Sequence, residues 1–223
     1  MTILYEDNHI IAVNKTTSEI VQGDKTGDEP LSDTLKRFLK DKYNKPGEVF
    51  IGVVHRLDRP VSGVVIFAKT SKALARLNDM FKNKDVEKTY WAIVQNKPKD
   101  LEARLEHFLI RNEKQNKSYA HPIEKPNSKK SILTYKLIAS SDRYHLLEIN
   151  LETGRHHQIR CQLASIGCSI KGDLKYGAPR SNPNGGISLH ARKICFFHPV
   201  SKQNIEIIAP VPEDDKLWTV FEK

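Results

Sequence analysis

Two apolar runs, residues 49–54 (VFIGVV) and 64–68 (VVIFA), bracket the segment His55-Arg56-Leu57-Asp58-Arg59-Pro60-Val61-Ser62-Gly63. Both runs are rich in β-branched or aromatic residues and are of strand length, so they predict two buried strands. Pro60 and Gly63 punctuate the segment between them, which makes it a loop held at both ends. A fold for this chain must bury both strands and still present Arg56, Asp58 and Arg59 at their junction. Positive charge from Arg56 and Arg59 favours the ionised form of Asp58, and an ionised, oriented carboxylate serves as a nucleophile or a base. The same three residues would also suit an ion pair that only fixes the loop.

The rest of the chain reads mostly as strands. Residues 3–5 and 9–13 predict two short strands around the turn Glu6-Asp7-Asn8, and residues 16–30 a long surface loop. Ser32 is placed to cap a helix over 33–43, and Ser71 to cap a second helix whose stripe is Leu74, Leu77 and Phe81. Residues 90–94 read as a strand, with Tyr90 at its start. Residues 132–138 and 144–151 read as paired strands, 156–166 as a helix, and 189–197 and 205–209 as late strands. Strands outnumber helices and several are joined by hairpin-length turns. The expected fold is α+β, a mixed, mainly antiparallel sheet with flanking helices, in a single domain spanning 1–223.

The net charge is +9, which points to a polyanion such as nucleic acid as partner. Residues 111–131 concentrate that charge: Arg111, Lys114, Lys117, Lys125, Lys129 and Lys130 stand against Glu113 and Glu124. This stretch is expected to be a flexible basic insertion that touches phosphates. A second dense cluster, Thr153-Gly154-Arg155-His156-His157-Gln158-Ile159-Arg160, falls at a strand-to-helix junction, where free N–H groups and the helix dipole attract anions. Arg160 lies one turn in, so it could pair with Asp58 if the junction faces that loop.

Several chemistries find no support. The histidines and cysteines of the C-terminal half lack metal-ligand spacing, so no metal is expected. There is no phosphate-binding GxxxxGK[ST] loop and no GxGxxG, so no nucleotide cofactor is expected. No apolar run approaches the about 20 residues of a membrane span. The N-terminus lacks the pattern of a secretory signal. Cys161, Cys168 and Cys195 are an odd set that suits a reducing compartment, so the expected location is the cytoplasm.

Taken together, the motifs resemble the RluA-type (RluA/RsuA-like) pseudouridine synthases. The loop His55-Arg56-Leu57-Asp58…Ser62-Gly63 is similar to HRLDxxTSG, and Lys88-Thr89-Tyr90-Trp91-Ala92 to KxYxA. Residues 154–160 are similar to GRxHQIR, residues 172–177 to GDxxYG, and Ser188-Leu189-His190-Ala191 and His198-Pro199 to the closing elements. The order matches over nearly the whole chain. The resemblance implies a central RNA-binding cleft and isomerisation of uridine to pseudouridine in ribosomal or transfer RNA, without a cofactor. It implies Asp58 as the catalytic carboxylate, acting on the base, on the ribose, or on a ribose proton. Tyr90 would pack on the uracil, Arg160 would pair with the aspartate, and Arg56 would fill the stack left by the flipped base. His55, Arg155, His157 and Gln158 are candidates for substrate contact.

This chain departs from the pattern at Thr16 and Ser18, at Val61, at Cys161-Gln162 and at Ser169, positions that bear on pocket shape and substrate choice. No separate N-terminal RNA-binding domain is expected, and the default state is a monomer. The competing expectation is an RNA-binding protein or chaperone on the same fold. A carboxylate buried near phosphate argues against it, because a pure binder has no use for one.

Overall fold

A computed structural model describes residues 1–221. The first half of the chain forms β1 (Thr2–Glu6), β2 (Ile10–Lys15), α1 (Leu31–Lys42), β3 (Gly52–Val53), β4 (Ser62–Ala68), α2 (Ser71–Asn83) and β5 (Val86–Val94). Then come β6 (Glu102–Asn112), β7 (Lys117–His121), β8 (Lys129–Ser140), β9 (His145–Leu151), α3 (Gln158–Ser165), a 3-10 turn at Leu174–Tyr176, β10 (Leu189–Phe197), β11 (Asn204–Ile208) and α4 (Lys216–Phe221). The expected α+β class with a mainly antiparallel sheet is what the strands build. The chain divides into two compact units, one of residues 1–87 with 191–210, the other of residues 88–190 with the segment from Val211 onward.

In the first unit β2 lies between β1 and β4, antiparallel to both, with Ile10 opposite Ala68 and Lys15 opposite Gly63. Ile10 to Val13 and Val65 to Ala68 are fully buried. Such strands read as unbroken apolar runs because both faces are covered. Leu35 and Leu39 of α1 and Leu77 of α2 are likewise fully buried. Gly63 is required where it stands. Its φ is +118°, and a Cβ there would lie 2.4 Å from the Ala191 carbonyl oxygen.

Two capping expectations are corrected. Thr70, not Ser71, caps α2, with its hydroxyl accepting from the Ala73 N–H at 3.1 Å. α1 starts after Pro30 with no side-chain cap. Its first N–H groups, on Leu31 and Ser32, donate to the carbonyls of Ile20 and Val21, so Ser32 has no capping to do and is buried. The run 49–54 holds only the two-residue strand β3, which pairs Val53 with Phe67.

The second unit holds the antiparallel order β5-β9-β8-β6-β7. The stretch 111–131, expected to be irregular, carries the end of β6, all of β7 and the start of β8, joined by two turns. Its polar composition hides a period of two: Ser118 points inward and is 2% exposed, while Tyr119 points outward. Asn116 and Asn127 supply the positive φ, 46° and 63°, that the two turns need. α3 covers the inner face through a cluster of Leu109, Cys161 and Tyr176, and α4 seats Trp218 against Ile93, Leu146 and Val211. Among the described residues, no helix is long and apolar enough to cross a membrane. No group of three or more His, Cys, Asp or Glu among them could hold a metal ion.

Candidate active site

In the first unit, the Asp58 loop is bolted from below. The Val61 N–H donates to the Asp58 carbonyl at 3.0 Å and closes a tight turn. Lys15, at the end of β2, is 0% exposed. Its Nζ donates to the carbonyls of Val61 at 2.6 Å, Arg59 at 3.0 Å and Thr16 at 3.0 Å. Burial pushes the Lys15 pKa down to about 8, against the upward pull of the Glu19 and Asp58 carboxylates. Within the loop Leu57 is buried, Asp58 is half-buried and Arg56 is exposed.

Arg59 behaves differently from the expectation. Its guanidinium donates to Asp28 at 2.6 Å and to the Thr26 hydroxyl at 2.7 Å, with Asp24 at 3.5 Å. The charge expected to hold Asp58 ionised is thus committed to the carboxylates of the loop 16–30. Arg59 stands at a corner of the turn that Asp58 opens, so these neighbours in sequence need not pair in space. The buried cation beneath the loop is Lys15, which the sequence signals only as a charge ending an apolar strand.

His55 turns into the unit. Its Nε2 accepts from the Ile66 N–H at 3.0 Å, one residue beyond the last pair of β3 with β4, and its ring stacks on Phe81 at 4.9 Å. The imidazole thereby takes over a donor that the short strand leaves.

In the second unit, Gln158 organises the entry to α3. Its Oε1 accepts from the Thr153 hydroxyl at 2.8 Å and the Arg155 N–H at 3.0 Å, and its Nε2 donates to the Ile132 carbonyl at 3.0 Å. The turn so fixed leaves His157 at φ 53° as the residue before the helix. Arg155 is exposed, with Nε 3.4 Å from the Lys130 carbonyl. α3 begins at Gln158 rather than 156 because the two preceding residues belong to this turn.

Arg160 is 5% exposed and meets Asp173, itself 1% exposed, through two parallel bonds: Nε to Oδ2 at 2.7 Å and a terminal nitrogen to Oδ1 at 2.8 Å. Its other terminal nitrogen donates to His157 Nε2 at 2.9 Å. An arginine can only donate, so Nε2 is the acceptor and the imidazole proton sits on Nδ1. Nδ1 in turn lies 3.0 Å from the Tyr176 hydroxyl. Burial, with the nearby Arg160 charge, drives the His157 pKa down to about 2, so the ring stays neutral. Tyr90, on β5 opposite Ile149, is half-buried.

The structure therefore gathers His157 and Arg160 into one buried network, gives the buried Gln158 to the turn before α3, and leaves Arg155 at the surface. Asp58, Arg56 and His55 belong to the first unit. Asp173 and Tyr176 carry no assigned role in the sequence reading. Their signal was the Gly172-Asp173…Tyr176-Gly177 motif, whose residues serve here as the fork partner and floor of Arg160. The groups available are a half-exposed carboxylate on a rigid turn and a buried guanidinium locked in orientation.

The profile of the RNA pseudouridylate synthase family matches residues 9–165. An uncharacterized RNA pseudouridine synthase of Bacillus subtilis, YhcT, is 33% identical over 222 residues, covering 97% of this chain and 70% of that protein. The ribosomal large subunit pseudouridine synthase D of Zymomonas mobilis is 30% identical over 227 residues, covering 97% and 71%. Among solved structures, human RNA pseudouridylate synthase domain containing 4 superposes with a TM-score of 0.79 at 22% identity, covering 96% of this chain and 89% of that one. That likeness concerns the fold.

Proposed function

The chain belongs to the RNA pseudouridylate synthase family and is an isomerase that converts uridine in RNA to pseudouridine, and from that premise we propose which of its residues carry the reaction and on which RNA. The reaction breaks the bond from uracil N1 to the ribose, turns the base, and joins C5 to the ribose. N1 gains a proton and C5 loses one, so the sum is an isomerisation and needs no redox partner.

Asp58 is the catalytic carboxylate. The observation that carries this reading is the loop itself. A half-exposed carboxylate stands on a turn whose flanking carbonyls are pinned by a fully buried ammonium. Such pre-organisation lets a single group act on a bound substrate without first ordering itself. Arg56, exposed one residue before Leu57, is placed to stack on RNA bases through its guanidinium plane. Tyr90 packs on the uracil, and Arg160 supplies a fixed positive charge. The target uridine must leave its stack first, at a cost of a few kcal/mol. Both units serve one catalytic domain.

The RNA is ribosomal in this reading, because a relative 30% identical over nearly the whole chain is named for the large ribosomal subunit. Incubation of unmodified ribosomal RNA and unmodified transfer RNA, separately, with the protein tests this. Pseudouridine is then mapped by carbodiimide adducts and primer extension. New stops in ribosomal RNA are expected. Stops confined to transfer RNA would replace the target, and none in either pool would refute both.

A further inference from the structure

Arg160 is surrounded on more sides than an ion pair requires. Asp173 holds two of its nitrogens, and His157 Nε2 accepts from the third at 2.9 Å. The Tyr176 ring lies under the guanidinium, with Cζ 5.1 Å from the ring centroid. The Tyr176 hydroxyl then reaches His157 Nδ1 at 3.0 Å and accepts from the Ser118 N–H on β7 at 2.8 Å. The ring of His157 meets that of Tyr176 edge-on, at 5.6 Å and 80°.

We propose that Tyr176 and His157 are positioning residues for the isomerisation, which hold Arg160 in one orientation from two directions at once. The proposal rests on the reading of Arg160 as a group of the reaction site. Its chemistry follows from donor and acceptor types. His157 can accept from Arg160 only if its proton is on Nδ1, and that proton needs an acceptor. The Tyr176 oxygen is that acceptor, and it is fixed in turn by the backbone N–H of Ser118. Removing the hydroxyl unpins the tautomer. With the proton on Nε2, the imidazole would point a donor at a donor and push Arg160 off its axis. Asp173 alone would leave the guanidinium a hinge about the shared fork. The Tyr176 ring and His157 remove that hinge.

Ser118 extends the network to the hairpin of β6 and β7. Its hydroxyl lies 2.9 Å from His156 Nδ1 and donates to the His156 carbonyl at 2.8 Å, and His156 stacks on His157 at 3.8 Å. The basic hairpin and the buried arginine are therefore parts of one hydrogen-bonded body within this unit.

The test compares kcat and KM on the RNA substrate for Tyr176→Phe, His157→Gln and His157→Leu, each at matched folded fraction. The same set includes Arg160→Lys alone and combined with Tyr176→Phe, measured as single turnovers with excess enzyme. Phe keeps the ring and deletes only the hydroxyl. Gln keeps an acceptor where Nε2 stands, and Leu does not. Tyr176→Phe and His157→Leu are expected to lower kcat about tenfold with KM within about twofold, as loss of a fixed charge-assisted hydrogen bond implies. His157→Gln should recover most of the loss. Tyr176→Phe should add less than about twofold once Arg160 is Lys. Wild-type kcat in Tyr176→Phe, equal losses in the Gln and Leu variants, or fully multiplying effects with Arg160→Lys would each overturn the proposal while the role of Arg160 stands. A wild-type rate in Arg160→Lys would instead overturn the reading of Arg160 and this proposal with it.

Discussion

Lys15 offers a quantitative test of how the Asp58 loop is held. Its ammonium is 0% exposed and its pKa falls to about 8, against 10.5 for an ordinary lysine. The unfolded chain therefore keeps its proton up to about pH 10.5, whereas the folded chain releases it near pH 8. Between those values the unfolded state binds more protons, so stability rises with pH. Below pH 8 both states are charged and the full burial penalty is present, about 3 kcal/mol for a shift of this size. At pH 10 about 2.5 kcal/mol of that penalty is relieved.

Lys15→Met keeps the shape and removes the titration. It also strands carbonyls that the ammonium now satisfies. The Arg59 oxygen retains the Ser18 N–H at 3.2 Å, so the Thr16 and Val61 oxygens carry the loss. At about 1–3 kcal/mol for each unsatisfied group, offset in part by removing a buried charge, the variant should be about 1–3 kcal/mol less stable at pH 7. Urea melts of wild type and variant at pH 7 and pH 10 give both numbers. The gap should widen by about 2.5 kcal/mol at pH 10, because only the wild type gains. A gap constant to within about 0.5 kcal/mol would refute the burial of a cation under the loop.

Other outcomes follow from the same geometry. Asp173→Asn leaves the 5%-exposed Arg160 without its counter-charge and should cost about 3–5 kcal/mol in a chemical melt, and a loss below about 1 kcal/mol would contradict the buried fork. Gly63→Ala drives a Cβ to 2.4 Å from a backbone oxygen at φ +118° and should cost on the order of 4 kcal/mol, whereas a soluble variant melting like wild type would refute the close approach. Joint replacement of Lys114, Lys117, Lys125 and Lys129 by Gln should weaken RNA binding and flatten its log–log salt slope by up to about 3, and an unchanged slope would place RNA elsewhere. Lys130 is left out because its ammonium already lies 2.5 Å from Glu106.

What the sequence disclosed, and what it hid, separates along physical lines. Local pattern reported the buried strands β2, β4, β5 and β9, because unbroken or alternating apolar residues state their own burial. It misplaced both helix caps, since whether a hydroxyl caps depends on which distant carbonyls reach the first N–H groups. It missed the strands between 111 and 131, where the inward position of β7 is held by Ser118 rather than by an apolar residue. At the site, the motif around Asp58 was legible as a charged loop between strands. The partners were not: Arg59 binds Asp24 and Asp28 from the loop 16–30, and Arg160 binds Asp173, which lies 13 residues on. Such pairings are tertiary, and no spacing rule announces them. Lys15 is the sharpest case, because a fully buried ammonium looks in sequence like an exposed one.

Asp58 is the carboxylate proposed to carry the uridine isomerisation. The direct measurement is tritium release from RNA labelled at uracil C5, for wild type and Asp58→Asn, with RNA binding followed in parallel. Wild type should release tritium, and the variant should bind with near-equal affinity and release none, because the amide keeps the contact surface and loses the charge. Sustained release by Asp58→Asn would contradict the account.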